Sequence, residues 1–582
     1  IGILSETKTV WERRVSLSPS DCKKLIEKNI KIIVQPSTTR CFTDSEYQEI
    51  GAEISMDLSP ANIILGINGP EISRLIEKKT YLFFSHTQKG QNCNPALLEK
   101  ILENKIRLID YECIKTKEDS VNYINSKRAV SFGKVAGIAG TVNILKGIGE
   151  LLLSRNISTP FIFTKMAHMY TSVESAKKNL VTIGKLIQEQ YLLDTLCPFV
   201  VGIIGNGRVS SGVSEALECL PHIKITPQDL SEIDEGKFQL EKRRDLIYIC
   251  TFKPEDIYKK IEENKDSPKN TTKESPPNDT NVNDSKEIKG VRKGSANSNP
   301  LDKKGLYKNP EKYFCNFNSK YLKHLSAVIN CLYWEPAFPK LLTKNGLNSY
   351  VTNNTNSKLL GISDISCDLN GSIEVLTDYT NFRKPFFIYE PVTKKYIYDI
   401  DKSTKEGIIY HAIPNLASSF PEDASIYFSN LLLPYMEKLA FVEYNLNDNI
   451  INDIPEELSR ACITSNGTLT PRYRNIFRKM EEKTKLVSLQ EKDDKPYFAS
   501  IKVNGHIFDS GFFHDLINIF PNYEVSHKVN YLRIGEDMDY LTVFYFDVFG
   551  TTKEIIKAFL DYIDESKIKY KFEMELMKTN IY

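Results

Sequence analysis

No charge sign dominates this chain: 76 Lys and Arg stand against 75 Asp and Glu over 582 residues, a net charge of +1. Without a basic field there is no electrostatic drive toward nucleic acid, so a nucleic-acid partner is excluded. Long hydrophobic runs are also missing. None approaches the ~20 residues of a membrane span, and no membrane partner is expected. The eleven cysteines are scattered, odd in number and free of any C-x-x-C spacing. That pattern argues against a disulfide scaffold or a zinc ribbon and for a reducing compartment, and no metal site is expected. A cytoplasmic setting is expected. A mitochondrial one stays open because Ile1 already sits in an apparent strand with no initiator Met before it, as in a trimmed product.

The length allows on the order of two to four domains. Over the first 135 residues short apolar runs alternate with amphipathic stretches, with strands expected at 1–4, 30–34, 63–67, 81–84 and 107–110. Ser18-Pro19 caps a helix over 20–28, and Asn94-Pro95 opens another over 94–103. This order predicts an open α/β sheet. Apolar helices at 137–153 and 172–190 lead to Phe199–Gly212, FVVGIIGNGRVSSG, where a buried strand breaks into glycines and feeds a helix. Such a turn aims backbone N–H groups at one point, where a dinucleotide pyrophosphate can sit. In the usual G-x-G-x-x-G spacing the third glycine would fall at Ser210, and here the next glycine is Gly212.

From 253 to about 310 the chain is rich in Lys, Asn, Asp, Ser and Pro and reads as a disordered insertion, placed at 258–308. Strand-like runs resume at 327–333 and 359–362. The tail shows strand, helix, two strands, helix and strand over 497–575, with its first helix at 511–519, a ferredoxin-like order. The fold expected is therefore α/β, with two open parallel-sheet Rossmann-like domains flanking a cleft and a C-terminal α+β ferredoxin-like domain.

Ionisable groups gather where predicted strands end: Glu6 and Lys8 with Glu12, Arg13 and Arg14; Ser85 and His86 with Lys89 and Gln91; Asp110 with Glu112; Lys127 and Arg128 ahead of Phe132. Ligands of open α/β sheets collect outside the carboxyl ends of strands, so these groups can face the glycine turn across a cleft. Arginines there would hold carboxylates. A histidine with an ordinary pKa of about 6.5 suits proton transfer. Solvated loop charges and a structural histidine remain the alternative for each residue taken alone.

The words ETKTVWERRVSLSP, VQPSTTRCF, KKTYLFFSHTQKGQ, IRLIDYE, FGKVAGIAG, SDISCDLNGSIE and SNGTLTPRYRNI resemble the lysine-ketoglutarate reductase family, the lysine-forming saccharopine dehydrogenases, over about residues 1–480. The tail is similar to the inter-domain region of the plant-type bifunctional enzymes, without their C-terminal saccharopine dehydrogenase domain. The resemblance implies a substrate-side domain at 1–195 completed by 392–440, and an NAD(P)-binding domain at 196–391. It also implies a connector at 441–484 and a ferredoxin-like (ACT-like) domain at 485–582. It implies NADPH-dependent condensation of L-lysine with 2-oxoglutarate to saccharopine, in a chain compatible with a homo-oligomer.

His86 matches the family's catalytic histidine. Arg14, Lys89, Gln91, Glu112, Arg128 and Phe132 fall at substrate-side positions. Gly205, Asn206, Gly207, Arg208, Val209, Asp364 and Ser366 fall at cofactor positions, and GNGRVSSG matches the family's form of the glycine turn. One position departs: Asn68 stands where the family has its catalytic lysine, and Lys8 or Glu12 are the candidates to replace it. A catalytically silent homologue that binds lysine or cofactor as a regulatory module is thus the alternative, with alanine dehydrogenase a weaker one. NADPH is expected over NAD, because the strand 222–226 ends on threonine and Arg208 sits in the turn, unless Asp229 reaches the ribose.

Overall fold

The computed structural model describes all residues except 88–93, 117–127, 262–304, 307–308, 355–356, 403, 405, 443–453, 478–496, 506–525, 534–541, 551–552, 571 and 580–582. Two units result, Ile1–Arg474 and Asn475–Tyr582.

The first unit holds two eight-stranded sheets. Strands β1 (Gly2–Ile3), β2 (Ile33–Val34), β3 (Glu53–Ile54), β4 (Ile63–Asn68), β5 (Thr80–Phe84) and β6 (Arg107–Asp110) run parallel in the order 6-5-4-1-2-3. Their runs are apolar because both faces are covered. The helix Pro19–Ile26 is capped by Ser18 with Pro19 in its first turn, and Pro95–Glu103 is capped by Asn94, which accepts from Leu97 N at 3.1 Å.

The second sheet is formed by β7 (Val200–Ile204), β8 (His222–Ile225), β9 (Ile247–Phe252), β12 (Ala327–Asn330), β13 (Gly361–Asp364), β14 (Phe387–Glu390), β15 (Lys395–Ile397) and β16 (Ile408–His411). Between β9 and β12, β10 (Tyr258–Lys260) and β11 (Tyr313–Cys315) form an antiparallel pair joining the two ends of the expected insertion, most of which lies outside the described residues. The sheet order is 15-14-16-13-12-7-9-8, parallel from β8 to β16. The second strand of this domain, β8, therefore lies at the edge, with β9 between it and the glycine-bearing β7.

Two domain boundaries differ from the sequence expectation. Lys395–Ile397 and Ile408–His411 form β15 and β16 of the second sheet rather than completing the first domain. The chain returns to the first domain as the helix Pro421–Ala440, where Ser425 Oγ accepts from Val15 N (2.9 Å) and Ser429 Oγ from Ser18 N (3.0 Å). It also returns as β17 (Cys462–Ser465) and β18 (Thr468–Leu469), a hairpin antiparallel to β6 that lies inside the expected connector. The sequence hid this edge because an antiparallel hairpin needs only a turn signal, here Asn466-Gly467, and no crossover helix.

The 22-residue helix Gly133–Ser154 is, among the described residues, the one helix long and apolar enough to cross a membrane, contrary to the sequence expectation. It is 83% buried in its apolar window and packs on the helix Arg208–Leu217 and on β13 and β16 of the second sheet. Inside it, Asn143 Nδ2 donates to His411 Nε2 (3.1 Å), and Ser363 Oγ lies 3.0 Å from His411 Nδ1. Since Asn143 Oδ1 accepts from Ala167 N at 2.8 Å, its amide nitrogen faces His411, so Nδ1 carries the imidazole proton. Burial drops the His411 pKa to about 3. The unfolded chain then binds one more proton than the folded one between the ordinary histidine pKa and about 3, so this residue's contribution to stability falls as the pH is lowered through that window. In His411→Gln, the pH dependence of urea-unfolding free energy in this window should be shallower by about 1.4 kcal/mol per pH unit. An unchanged slope contradicts the neutral assignment.

The C-terminal unit has β19 (Tyr497–Gly505), β20 (Ser526–Arg533), β21 (Thr542–Gly550), a helix Lys553–Tyr570 and β22 (Phe572–Thr579). The strands are antiparallel in the order 20-21-19-22, the order a ferredoxin-like unit has. Ile501 and Val503, with Phe546 and Val548, meet Ile556, Phe559 and Ile563 of the helix in its core. The expected helix at 511–519 lies outside the described residues.

Candidate active site

The carboxyl ends of β1, β4, β5 and β6 point the same way because these strands are parallel, and the ionisable clusters of the sequence sit there. At the end of β4, Asn68 Nδ2 donates to Glu6 Oε2 (2.9 Å) and to Glu12 Oε2 (3.1 Å). Glu6 also accepts from Ile67 N at 2.6 Å and from Asn68 N at 3.2 Å. Glu12 is gripped by Arg14, with Nε to Oε1 at 2.8 Å and Nη2 to Oε2 at 2.6 Å. The Arg14 guanidinium holds the Glu12 carboxyl below the usual range against the cost of its burial, so Glu12 stays ionised. Burial, and then the charge of Glu12, push Glu6 up to about 7.

Arg14 lies 4.3 Å over the Phe132 ring, which stacks on Phe428 at 4.3 Å. Tyr111 and Phe84 also touch Phe428, so four rings floor the site. The free fork expected of Arg14 is instead engaged, since its Nε and Nη2 both face Glu12. Lys8 is exposed.

Beyond β5, buried Asp110 accepts from Ser85 N at 3.1 Å and from Ser85 Oγ, and also from Glu112 N at 2.7 Å. Thr87 Oγ1 lies 2.8 Å from Ser85 Oγ. These bonds pin the backbone on both sides of His86, which is exposed and left-handed at φ 55°. Burial, and the neighbouring Glu112, raise Asp110 to about 7. Arg128 Nη2 meets Glu112 Oε1 at 3.2 Å, with the arginine half-exposed. Lys89, Gln91 and Lys127 lie outside the described residues.

On the second sheet, Gly205 turns the chain after β7 with φ 111°, a conformation side chains disfavour. Gly207 precedes the helix Arg208–Leu217, has open space where a Cβ would be, and provides no side-chain cap. Neither a side-chain cap nor a Cβ stands before the first N–H groups of that helix, which fits a pyrophosphate. Asn206 is exposed beside it, and Val209 backs onto Gly133, whose Cβ position is 3.1 Å from Val209 Cγ2. The residue after Phe132 therefore abuts the glycine turn, and the substrate-side cluster and the turn share one wall.

Arg208 does not face a ribose here: its Nη1 donates to Ala129 O at 2.8 Å. Asp229 closes a capping box with Thr226, Thr226 N donating to Oδ2 at 2.7 Å, at the end of the edge strand β8. Gly205 N donates to Phe252 O at 2.8 Å, so the strand end beside the turn is that of β9, followed by exposed Lys253. Asp364 is buried and accepts from Asn330 Nδ2 and Tyr410 OH, each at 2.9 Å; burial raises it to about 6. Ser366 Oγ donates to Leu332 O at 2.6 Å. Asp364 ends β13 and Ser366 follows it, at the carboxyl end of the second sheet.

The structure thus joins Glu12, Arg14, Asn68 and Phe132 into one cluster, pairs Glu112 with Arg128, and sets the glycine turn against Gly133. Sequence reasoning set Glu6 and Asp110 in the strand-end clusters without an individual role and did not single out Lys253. Glu6 and Asp110 carried the signal of strand-end position; Lys253 carried none, because the insertion of β9 beside β7 is a matter of sheet order.

Residues 2–130 match the family described as alanine dehydrogenase/PNT, N-terminal domain. An alpha-aminoadipic semialdehyde synthase of Arabidopsis thaliana is 31% identical over 578 residues, covering 96% of this chain and 49% of that protein. The mitochondrial alpha-aminoadipic semialdehyde synthase of Rattus norvegicus is 31% identical over 525 residues, 88% of this chain and 51% of its own. A saccharopine dehydrogenase (NAD(+), L-lysine-forming) of Neurospora crassa is 26% identical over 263 residues, 43% of this chain and 65% of that protein. The chain spans about half the length of the synthases it matches. Over most of its own length it is homologous to the alpha-aminoadipic semialdehyde synthases, with an alanine dehydrogenase/PNT N-terminal domain at its start.

Proposed function

We propose that this chain catalyses the reductive condensation of L-lysine with 2-oxoglutarate, oxidising NADPH and forming saccharopine. The observation that carries the reading is the shared wall: Phe132 touches Arg14 on one side, and Gly133 meets the glycine turn on the other. A substrate held over the aromatic floor is thereby next to the nicotinamide cofactor that the dehydrogenase relatives imply. That cofactor supplies hydride to the imine carbon when bound. Saccharopine has three carboxylates, so cationic anchors are needed, and Arg128 and Lys89 are assigned to them, Arg14 being committed to Glu12. Arg128, whose side chain is 35% exposed, turns from Glu112 to a substrate carboxylate. His86 moves the proton from the newly bonded nitrogen to the alkoxide oxygen, giving the carbinolamine. The rat relative's designation makes the mitochondrion the compartment to examine first.

For NADPH, we assign the 2′-phosphate to Lys253, because Arg208 is engaged with Ala129 and Asp229 is in its own capping box. Lys253→Glu should raise KM for NADPH at least tenfold, about 1.4 kcal/mol, with KM for NADH changed far less. Equal changes for both cofactors contradict the assignment.

A second reading has one observation in its favour: the site's central amide, Asn68, cannot titrate, as expected of a silent homologue that binds lysine or cofactor for regulation. Steady-state NADPH oxidation with lysine and 2-oxoglutarate tests both. Turnover requiring both substrates supports the reductase; cofactor binding without turnover supports the regulatory module.

A further inference from the structure

We propose that Glu6 is a second proton-carrying residue of this site, taking a proton from the incoming amine and returning it to the departing hydroxyl, and that Asn68 is the residue that leaves it free to do so. This rests on the reductive-condensation reading above.

β1 ends at Ile3, and the next residues carry the Glu6 carboxylate across the carboxyl end of β4. There the two N–H bonds of the Asn68 amide point to two different carboxylates, Glu6 at 2.9 Å and Glu12 at 3.1 Å. The two carboxylates differ in one respect. Glu12 has a guanidinium within 2.6 Å, whereas Glu6 accepts from two backbone N–H groups and an amide, all of them neutral.

Removing water from two neighbouring carboxylates while only one has a counter-ion favours a proton on the other. The charged and titratable groups that act on Glu6 are Glu12, Arg14 and the Tyr111 phenol, and their balance, with burial, places it at about 7. Glu6 lines a shallow surface recess with Glu12, Arg14, Ser37 and Thr39, and it is only partly buried there.

A lysine at position 68 would place an ammonium between the two carboxylates and hold Glu6 in its ordinary range, as Arg14 holds Glu12. An amide leaves the geometry and withholds the charge. The loss of one titrating group thus releases another within 3 Å of the same spot.

The step balances without an added reactant. The Glu6 carboxylate takes one proton from the ε-ammonium of lysine, leaving a neutral amine and a carboxylic acid. The amine's electron pair forms the C–N bond to the keto carbon of 2-oxoglutarate, and proton transfer through His86 gives a neutral carbinolamine. Glu6 then gives its proton to the carbinolamine hydroxyl, the C–O bond breaks, and water leaves a protonated imine.

The test uses the full chain. In Glu6→Gln, kcat for lysine-dependent NADPH oxidation should fall on the order of 10²–10⁴-fold while NADPH binding, followed by its fluorescence, is unchanged. The acid limb of the wild-type pH profile should have its midpoint near 7 and vanish in the variant. Glu6→Asp should recover part of kcat and the limb. A Glu6→Gln enzyme within threefold of wild type that keeps the limb overturns the proposal.

A second readout needs no turnover. Infrared difference spectra of wild type against Glu6→Gln should show one carboxyl titrating near pH 7, displaced to lower pH by Asn68→Lys. If no such carboxyl titrates, the proposal falls even in an active enzyme. If it titrates but wild type has no lysine-dependent turnover, the reductase reading falls and takes the transfer step with it.

Discussion

His86→Ala should lower kcat for lysine- and 2-oxoglutarate-dependent NADPH oxidation on the order of 10²–10⁴-fold, the range for loss of a proton-transferring group. The fold makes this a sharp test because the backbone around His86 is fixed independently of its side chain. Asp110 takes two hydrogen bonds from Ser85 on one side, and Thr87 bonds to Ser85 from the other. The imidazole can then be removed with its frame intact, and the glycine turn, on the other sheet, keeps its affinity for NADPH. The expected split is a collapse of kcat with an unchanged Kd for cofactor. A variant within threefold of wild-type kcat would remove His86 from the mechanism.

Gly212→Ala should destabilise the first unit by about 3 kcal/mol, at the upper end of overpacking costs. A Cβ at Gly212 would lie 1.9 Å from Lys134 O, and one at the opposed Gly137 would lie 2.1 Å from Val209 O. Both obstacles are backbone atoms of the crossing helix, so no side-chain rotation relieves them. The helices Gly133–Ser154 and Arg208–Leu217 must separate or tilt, which also moves the N–H groups at the turn. A lower urea midpoint and weaker NADPH binding should therefore appear together. Ser211→Ala, at the exposed neighbouring position, should change stability by no more than about 0.5 kcal/mol. If Gly212→Ala behaves like Ser211→Ala, the close crossing is wrong.

That pair of glycines shows what the sequence could and could not tell. The shift of the last glycine from position 210 to 212 weakened the general fingerprint, yet Ser210 fits, its Oγ donating to Gly207 O at 2.8 Å. Helix–helix contact decides where the glycine is needed, and the partner helix is 75 residues away in the chain (212 − 137). Local signals were readable because their physics is local: the Ser18 and Asn94 caps, the buried strand into Gly205, and the clusters at strand ends. Sheet order was not. The edge position of β8, the β9 strand beside β7 and the hairpin at 462–469 depend on pairings between distant segments. The same holds for charge at the site. Arg14 read as a substrate anchor until its bonds to Glu12 were seen, and Glu6 is distinguished from Glu12 only by lacking such a cation.

The central claim is that the cluster around Asn68 and the glycine turn form one reductive site, and the most direct measurement is NADPH oxidation by the purified chain with each substrate omitted in turn. Oxidation is expected only when lysine and 2-oxoglutarate are both present, with saccharopine formed in step with the NADPH consumed. NADPH bound but not oxidised under those conditions would contradict it.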